Sequence, residues 1–479
     1  MSENLAKIAE RLHEINDFMI QVEKDFDYIL EKIHPENKKC AVNLLHYLAL
    51  RSQDIRDLQD DLHTCGLSSM ASSESHIRGQ LLAILERLGI KKKITEDIFS
   101  YETSKLSLSK KLTGLFGKKL TDSVPYIMVT FDNSLATDYL KVENLLQSGM
   151  NIARINCAHD DQAIWYKMIK NIDKAIKTTG LQCKIYMDLA GPKIRTIVKR
   201  SGRLKVVEGQ MIYLTDENNI NDRKLTVGCT IVGVFNQLNV GEIVLFDDGL
   251  IEARVDKIEP KRVRLQIIRV SSKKPYIKNE KGVNFPNSNL MTPSLTDYDV
   301  MCIPFIVQHA DMVGYSFVRN SNDILQLQHV LGNNKQLDLV IKIETPQAVK
   351  NLPDLLLSGM QQENIGVMIA RGDLAVEIGF ERMSEIQEEI LWISESAHVP
   401  VIWATQVLEN LNKSGVATRS EITDAAHAAQ ADCVMINKGA HTLQTLDTLK
   451  NILFRSGGHH IKKRFTFRPL AIATRFMNK

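Results

Sequence analysis

The sequence predicts an α/β protein: an eight-stranded (β/α)₈ barrel, or TIM barrel, with a small all-β domain inserted in one loop and an all-α domain in front. Three observations support this. From residue 124 onward, apolar runs with polar ends alternate with amphipathic segments, as in βα units. A stretch of about 90 residues rich in alternating Val and Ile interrupts them. Residues 1 to about 95 have helical periodicity nearly throughout.

The N-terminal 100 residues are predicted to form a helical domain. Apolar residues of its first segment recur at intervals of three and four, the spacing of one helix face: Leu5, Ile8, Leu12, Ile15 and Met19. Residues 101–123 are rich in Ser and Lys. They are expected to form a solvated basic linker, and contact with a phosphate-rich partner is the alternative.

Eight apolar runs define the barrel strands, at 127–133, 150–159, 183–190, 312–319, 339–346, 365–373, 399–405 and 432–438. Thr345 followed by Pro346 predicts a helix start directly after the fifth run. The barrel is expected in two parts, 124–196 and 285–455, before a tail at 456–479. Functional residues of such barrels lie at the C-terminal ends of the strands, where the polar residues cluster here.

The interruption at 197–284 predicts a separate β domain. Its Val and Ile residues alternate with polar ones and are divided by turn residues, a pattern typical of short antiparallel strands. We expect a small, β-barrel-like domain that emerges from a barrel loop, close to the active face. A domain in this position can act as a lid.

Two polar strand ends contain the candidate chemistry. Lys342 and Glu344 stand two residues apart, so on a strand both point to one face. Asp373 would add a second carboxylate from the neighbouring strand. Two carboxylates beside a lysine suit a divalent cation and a phosphate. On these residues alone, a buried ion pair explains the pattern equally well.

Composition excludes several other classes of protein. The 479 residues include 60 basic and 57 acidic ones, for a net charge of +3, so no overall field predicts nucleic-acid binding. The seven cysteines are scattered and never in C-x-x-C spacing, which argues against disulfide frameworks and structural zinc. The N-terminus resembles an amphipathic helix rather than a signal peptide, and no apolar run is long enough to span a bilayer. We expect a cytoplasmic protein.

Six motifs occur together in order over 124–455. They are Asn-Ile-Ala-Arg-Ile-Asn at 151–156, Met-Asp-Leu-Ala-Gly-Pro-Lys-Ile-Arg-Thr at 187–196, Phe-Asp-Asp-Gly-Leu at 246–250, Lys-Ile-Glu at 342–344, Ala-Arg-Gly-Asp-Leu at 370–374 and Ala-Thr-Gln at 404–406. Each motif is weak alone, but six in register resemble the pyruvate kinase family. The resemblance implies phosphoryl transfer between phosphoenolpyruvate and ADP, and identifies the insert as a lid.

The resemblance also implies roles for individual residues. Glu344 and Asp373 would hold Mg²⁺ or Mn²⁺, Lys342 would face the transferring phosphoryl group, and Thr405 would help to deliver a proton to the enolate carbon. Arg154 would bind phosphate, and Arg195 and Asp248 would act on the nucleotide side, although each of these two alone would pass for a surface charge. The other implied binding residues are Asn156, His159, Asp188 and Gly372.

Lys193 bears on the cation requirement. Most members of the family have either Glu or Lys at this position, and Glu accompanies a bound potassium ion. A lysine puts an ammonium group there instead, so the resemblance implies activity without potassium. Ala158 replaces a serine that would supply a hydroxyl ligand, which agrees with this expectation. A surface lysine is the alternative explanation for Lys193.

Other departures fall toward the nucleotide. The first strand ends in Thr130-Phe-Asp-Asn-Ser rather than the family's Thr-Ile-Gly-Pro-Ala-Ser, Tyr298 stands where a nucleotide-contacting lysine is usual, and the eighth strand ends in Asn437-Lys-Gly-Ala. Lys438 is a candidate to restore a phosphate-directed cation. Two alternative functions therefore stay open: a metal-enolate enzyme with another acceptor or reaction, and a non-catalytic metabolite-binding protein.

The ends of the chain are expected to differ from the family as well. We expect no counterpart of the family's C-terminal domain, which binds activators and forms much of the tetramer contact, and a helical domain at the front instead. We expect a homo-oligomer with the N-terminal helices as a candidate interaction module. No nucleic-acid or membrane partner is expected.

Overall fold

The structure is a computed structural model that describes residues 3–465. The exceptions within this span are residues 91–96, 120–123, 200–201, 217–219, 221–224, 273, 289, 291, 333–336, 458–459 and 463. Parts of the expected linker and insert, and most of the expected tail, thus lie outside the described residues.

The described part of the first hundred residues contains helices α1 (Glu3–Asp25), α2 (Asp27–Leu30), α3 (Lys38–Arg51), α4 (Arg56–Thr64) and α5 (Ile77–Arg87). The periodic residues of α1, from Ile8 to Met19, are buried against α3 and α5. Their helical spacing therefore becomes one packed face.

The expected solvated linker is instead a helix over most of its length, α6 (Tyr101–Phe116). Ser100 begins it with a capping box. Leu112, Leu115 and Phe116 stand at helical spacing, and they pack against side chains of the barrel interior, including Met128 and Tyr126. The end of α6 therefore closes one end of the barrel, because this apolar face outweighs the polar composition of the segment.

The first barrel section contains strands β1 (Tyr126–Thr130), β2 (Ile152–Asn156) and β3 (Lys184–Asp188). Helices α7 (Tyr139–Gln147) and α8 (Gln162–Thr179) connect them. The side chains of Asp138 and Asp161 cap the starts of these two helices by accepting backbone hydrogen bonds.

The insert forms a β domain with its own apolar core. Its strands are β4 (Thr196–Ile197), β5 (Arg203–Lys205), β6 (Met211–Asp216), β7 (Thr226–Cys229), β8 (Ile243–Phe246), β9 (Ile251–Glu259), β10 (Arg262–Val270), β11 (Tyr276–Lys278) and β12 (Val283–Asn284). Seven of them form one sheet in the order β12-β8-β9-β10-β6-β7-β4, and β11 pairs with β5.

The second barrel section supplies strands β13 (Met312–Tyr315), β14 (Asp338–Ile343), β15 (Ile365–Ala370), β16 (Val401–Ala404) and β17 (Cys433–Ile436). Its helices are α9 (Asp297–His309), α10 (Ser321–Leu331), α11 (Pro346–Lys350), α12 (Leu352–Gly359), α13 (Arg371–Ile378), α14 (Met383–Ser396), α15 (Glu409–Ser414), α16 (Arg419–His427) and α17 (Thr442–Gly457). A short pair, β18 (His460–Ile461) and β19 (Arg464–Phe465), follows.

Eight described strands close into a parallel barrel in the order β1-β17-β16-β15-β14-β13-β3-β2, which confirms the predicted fold class. Ile341 and Ile343 of β14 face the surrounding helices, whereas Val340 faces the interior. The alternation puts Lys342 on the interior face, as predicted. Thr345 caps α11, with Pro346 at its first position, as its sequence predicts.

The N-terminal helices and the barrel share part of one core. Leu30, Ile33 and Leu44 belong to the same buried cluster as the helices around the barrel. Asn43 Nδ2 donates a hydrogen bond to the Ser396 carbonyl oxygen at 2.7 Å, and the His34 backbone N–H donates to the Met360 carbonyl oxygen at 3.0 Å. The two units are therefore joined by packing as well as by the chain.

All seven cysteines are free, and six of them are buried. None of the helices in the described part of the chain is both long and apolar enough to cross a membrane.

Candidate active site

A cavity of about 210 Å³ opens at the C-terminal end of the barrel. It is lined by all of the predicted site residues except Asp248 and Gly372. The predicted residues come from strands far apart in sequence, and barrel closure brings their polar ends together.

Lys342 lies at the centre of a buried charge cluster. Its Nζ is 2.9 Å from Glu344 Oε1 and 3.3 Å from Asp188 Oδ1, and it donates a hydrogen bond to Ser316 Oγ at 2.7 Å. Burial disfavours the ammonium charge, but the Asp188 and Glu344 carboxylates outweigh burial and raise the pKa of Lys342. The amine is therefore charged at neutral pH.

Glu344 is almost completely buried. Its Oε2 accepts a hydrogen bond from the Phe317 backbone N–H at 2.6 Å. Burial raises the pKa of Glu344, and the nearby Asp373 charge adds to that effect, although Lys342 opposes it. An additional positive charge at this position would stabilise the ionised carboxylate.

Arg154 and Asp188 form the second buried pair, on adjacent strands β2 and β3. Arg154 Nε donates to Asp188 Oδ2 at 3.1 Å, and Arg154 Nη1 donates to Thr130 Oγ1 at 3.0 Å. Burial alone would raise the pKa of Asp188, but Lys342 and Arg154 lower it. Asp188 is thus an ionised carboxylate that holds two cations at the cavity floor.

Asp373 lies in the first turn of α13, directly after β15, rather than on the strand itself. Lys193 Nζ lies 2.7 Å from its Oδ1 and 3.0 Å from its Oδ2. The pair stands at the mouth of the cavity, where the barrel meets the insert. The ammonium group of Lys193 therefore faces one of the two predicted metal ligands.

Arg195 and Asp248 are less enclosed. The Arg195 guanidinium donates to the Glu280 carbonyl oxygen at 3.1 Å and lines the cavity from the insert side. Asp248 lies in an exposed turn of the insert, within electrostatic range of Lys193 and Asp373. Its backbone is left-handed, with φ 55°. The insert thus brings one cation and one carboxylate toward the barrel.

Thr405 follows β16 with a left-handed backbone, φ 65°, a conformation that is costly for a β-branched residue and concentrates at functional sites. Its Oγ1 accepts a hydrogen bond from the Gly372 N–H at 2.7 Å, and its carbonyl oxygen accepts one from Arg371 Nη2 at 2.7 Å. Gly372 therefore contributes by fixing Thr405.

A second cavity of about 270 Å³ adjoins the first and shares Arg154, Asn156, His159 and Thr405 with it. Lys438 at the end of β17 lines this second cavity. Burial and the charges of Lys438 and Arg195 lower the pKa of His159, so its imidazole is neutral at pH 7. Tyr298 contributes no charge here, because its hydroxyl donates to the Cys157 carbonyl oxygen at 2.9 Å.

Two residues of the cluster, Ser316 and Tyr186, were not predicted from the sequence. Ser316 accepts the hydrogen bond of Lys342 and donates to the Leu189 carbonyl oxygen at 2.6 Å. Tyr186 donates to Asp188 Oδ1 at 3.0 Å. Ser316 follows the apolar run of β13 and could have been found as a polar strand end, whereas Tyr186 lies within an apolar run and carried no such signal.

The donor set fits a hard divalent cation. Glu344 and Asp373 line one cavity, and the described residues contain no cluster of three or more His, Cys, Asp or Glu side chains with metal-site geometry. Mg²⁺ is commonly bound by one or two carboxylates while substrate oxygens and water complete its shell. Two carboxylates are therefore sufficient for such a site.

Comparison with known proteins finds one family, both for the barrel region and among the similar sequences. The family described as "Pyruvate kinase, barrel domain" matches residues 126–443. Pyruvate kinase of Bacillus licheniformis is 33% identical over 326 residues, which is 66% of this chain and 54% of the relative. Pyruvate kinase of Staphylococcus saprophyticus is 31% identical over 348 residues, which is 70% of this chain and 58% of the relative. The chain thus spans less than two thirds of the length of these relatives.

Proposed function

Because this chain belongs to the pyruvate kinase family, we propose that it transfers the phosphoryl group of phosphoenolpyruvate to ADP or another nucleoside diphosphate. The P–O bond of phosphoenolpyruvate breaks, a β-phosphate oxygen of the acceptor bonds to phosphorus, and the enolate takes a proton on carbon to give pyruvate. The observation that carries this proposal is the charge cluster in the first cavity, where Arg154 and Lys342 meet Asp188 and Glu344.

Phosphoryl transfer depends mainly on positioning and on neutralising charge, and the cluster supplies both. Asp188 contacts Arg154 and Lys342 together, so the two cations are held rigidly side by side. We assign Lys342 to the transferring phosphoryl group and Arg154 to a phosphate. Their fixed charges lower the cost of the charge that develops on the phosphoryl oxygens.

Thr405 is assigned to the proton transfer. Its Oγ1 accepts the Gly372 N–H, so its own O–H can donate into the cavity that it lines. Arg195, with Asp248 on the insert, is assigned to the approach of the nucleotide when the insert closes on the barrel. Glu344 and Asp373 would hold Mg²⁺ or Mn²⁺, which neutralises charge on substrate oxygens when bound.

Potassium independence is part of the proposal. The Lys193 ammonium already lies against Asp373 at the cavity mouth, where it supplies a monovalent positive charge. We expect the same rate of pyruvate release in potassium and in sodium-free, potassium-free buffer at matched ionic strength. A rate that needs potassium would overturn the assignment of Lys193.

The proposal is tested with the purified chain, phosphoenolpyruvate and Mg²⁺, by following pyruvate release with each nucleoside diphosphate in turn. We expect release with at least one diphosphate and none after chelation of the metal. The absence of pyruvate with every diphosphate would overturn the proposal. Binding of phosphoenolpyruvate under those conditions would then favour a metabolite-binding role.

A further inference from the structure

A cavity of about 600 Å³ lies between the N-terminal helices and the barrel. Helix α3, the loops on either side of α4 and the outer faces of α14 and α16 line it. It is larger than either cavity of the candidate active site, and its volume is within the range of small-molecule sites. We call it the interdomain cavity.

Arg51 is the principal cation of this cavity. Its guanidinium carbon lies 4.9 Å from the ring centroid of Trp392 on α14 and 5.6 Å from that of Tyr47. Arg51 Nη1 donates to the Tyr47 hydroxyl at 2.6 Å. The Trp392 ring packs against the guanidinium and the Tyr47 hydroxyl takes one of its N–H groups, which leaves further N–H groups for a ligand.

Two of the three carboxylates that line the cavity, Asp54 and Glu388, have a cationic or polar partner. Asp54 pairs with Arg56 at 2.6 Å, and Glu388 pairs with His427 at 2.6 Å; Glu74 also lines the cavity. Among the described residues, no carboxylate lies within ion-pair distance of Arg51. Arg51 is therefore the arginine of this cavity whose charge no described carboxylate neutralises.

The loop along one wall of the cavity is conformationally unusual. Met70 and Ser72 both have left-handed backbones with φ 62°, and neither is a glycine. Met70 is buried, while Ser72 is exposed at the cavity. Such conformations are costly and concentrate at ligand sites, so the wall has a feature expected of a binding surface.

We propose that the interdomain cavity binds a small anionic molecule that carries a phosphate or carboxylate group, with Arg51 as its main contact. A guanidinium already held by Trp392 and Tyr47 loses little freedom when it binds such a group, and its donors match the two oxygens of the anion. The residues that make the site come from both the N-terminal helices and the barrel.

Contiguous contacts join this cavity to the candidate active site. The His427 ring, which lines the cavity, lies edge-on to Trp403 with centroids 5.4 Å apart, and the Arg371 guanidinium covers the same ring at 4.7 Å. Arg371 in turn donates to the Thr405 carbonyl oxygen. A ligand that shifts α16 would therefore act on the segment that orients Thr405.

Binding can be measured through Trp392. The chain has three tryptophans, and Trp165 and Trp403 are fully buried. We expect inorganic pyrophosphate or citrate, titrated separately, to change the fluorescence of the wild type saturably, and Trp392→Phe to lose most of that change. The probe that binds more tightly distinguishes a phosphate ligand from a carboxylate ligand.

The decisive variant is Arg51→Gln, which should weaken the better probe at least tenfold. The matched control is Arg87→Gln, because Arg87 is an exposed arginine of the same helical unit that does not line the cavity. Circular dichroism checks that both variants are folded. Equal affinity in Arg51→Gln and the wild type, or no saturable response of the wild type to either probe, would overturn the proposal.

Coupling to the active site rests on the proposed function and is measured separately. With saturating probe, we expect at least a twofold change in the KM for phosphoenolpyruvate in the wild type and none in Arg51→Gln. An unchanged KM in the wild type would overturn the coupling. Failure of the proposed function has a different result, namely no pyruvate in the absence of any probe.

Discussion

At the residue scale, the balance of charge around Lys342 decides what each neighbour can do. Two buried carboxylates keep this amine protonated, and Arg154 shares one of them. Removing one charged member leaves its partner buried without a counter-charge. The resulting free-energy penalty is larger than the stabilisation that the intact pair provides. The cluster therefore responds as a unit to substitution.

Lys342→Met tests the assigned phosphoryl contact. The side chain keeps much of its length but loses its charge, so pyruvate release should fall about a thousandfold, while Mn²⁺ binding at Glu344 and Asp373 remains measurable by calorimetry. Lys350→Met on α11 is the control, because Lys350 is exposed and should leave both quantities unchanged. If Lys342→Met released pyruvate at the rate of the wild type, the assignment of Lys342 to the phosphoryl group would be excluded.

Lys438 tests the nucleotide side of the proposed function. It lines the second cavity and makes no ion pair with any described residue, whereas Lys413 on the same wall pairs with Glu409. A charge-assisted contact to phosphate is worth about 1.5–3 kcal/mol. Lys438→Met should therefore weaken ADP binding at least tenfold in calorimetry, with phosphoenolpyruvate binding unchanged.

Lys413→Met is the matched control for that measurement and should change ADP affinity less than threefold. If the two variants weaken ADP binding equally, the effect belongs to the overall charge of the wall rather than to Lys438. The binding experiment does not depend on turnover, so it remains informative for each of the proposed acceptors.

At the scale of elements, the contact between the segment before α6 and the start of β16 is predicted to make the stability of the fold depend on pH. His398 precedes β16, is completely buried and stacks on Phe99 with ring centroids 4.2 Å apart. Neither ring nitrogen has a hydrogen-bond partner among the described residues. Burial lowers the pKa of His398 to about 3, and the charges of Lys462, His76, Lys111 and Lys39 act in the same direction.

This lowered pKa predicts loss of stability in acid. The unfolded chain binds a proton at His398 near pH 6.5, whereas the folded chain does not. The contribution of neutral His398 to the free energy of unfolding is therefore fully present above pH 6.5 and is lost as pH falls toward 3. Between pH 7 and 5 the loss is about 2 kcal/mol. Urea unfolding at pH 7 and pH 5 should show that the free energy of unfolding changes less between the two pH values in His398→Asn than in the wild type.

Asparagine is the suitable replacement because His398 has a left-handed backbone, φ 52°, which Asn tolerates. Asp338 and Glu377 have pKa values raised by burial to about 7. Their raised pKa values favour the folded state as pH falls, which is opposite to the effect of His398. Both groups are present in the wild type and in His398→Asn, so their effects cancel in the comparison. Identical pH dependence in the two proteins would contradict the prediction.

At the scale of the whole molecule, the shared core couples the helical unit to the barrel. Leu44 and Phe99 belong to the cluster that surrounds the barrel strands. Asn43 uses its amide to bond the carbonyl oxygens of Ser396 and Glu74 and the N–H of Ile77. The helices therefore stabilise the barrel as well as themselves.

We predict one cooperative unfolding transition for these two units in calorimetry. Asn43→Ala leaves buried polar groups without partners, at a cost of about 1–3 kcal/mol each, and should lower the midpoint of that transition. Ser52→Ala, at an exposed position directly after α3, serves as the control and should change the midpoint little. Helices that melt separately from the barrel would contradict the prediction.

The sequence by itself determined the barrel, the insert as a β domain and the common face of Lys342 and Glu344. These features follow from periodicity and chain order, which are local properties. The path of α6 was mispredicted, because its Ser and Lys content concealed an apolar helix end that finds its partner only inside the closed barrel.

Only the tertiary structure decided the arrangements that depend on partners far apart in the chain. Lys193 meets Asp373 across 180 residues, Lys438 lines the same cavity as Arg154, and Arg51 stacks on Trp392 between two units of the fold. The physical reason is that a local pattern specifies the face on which a side chain lies, whereas barrel closure and domain packing determine which charge or ring it meets there.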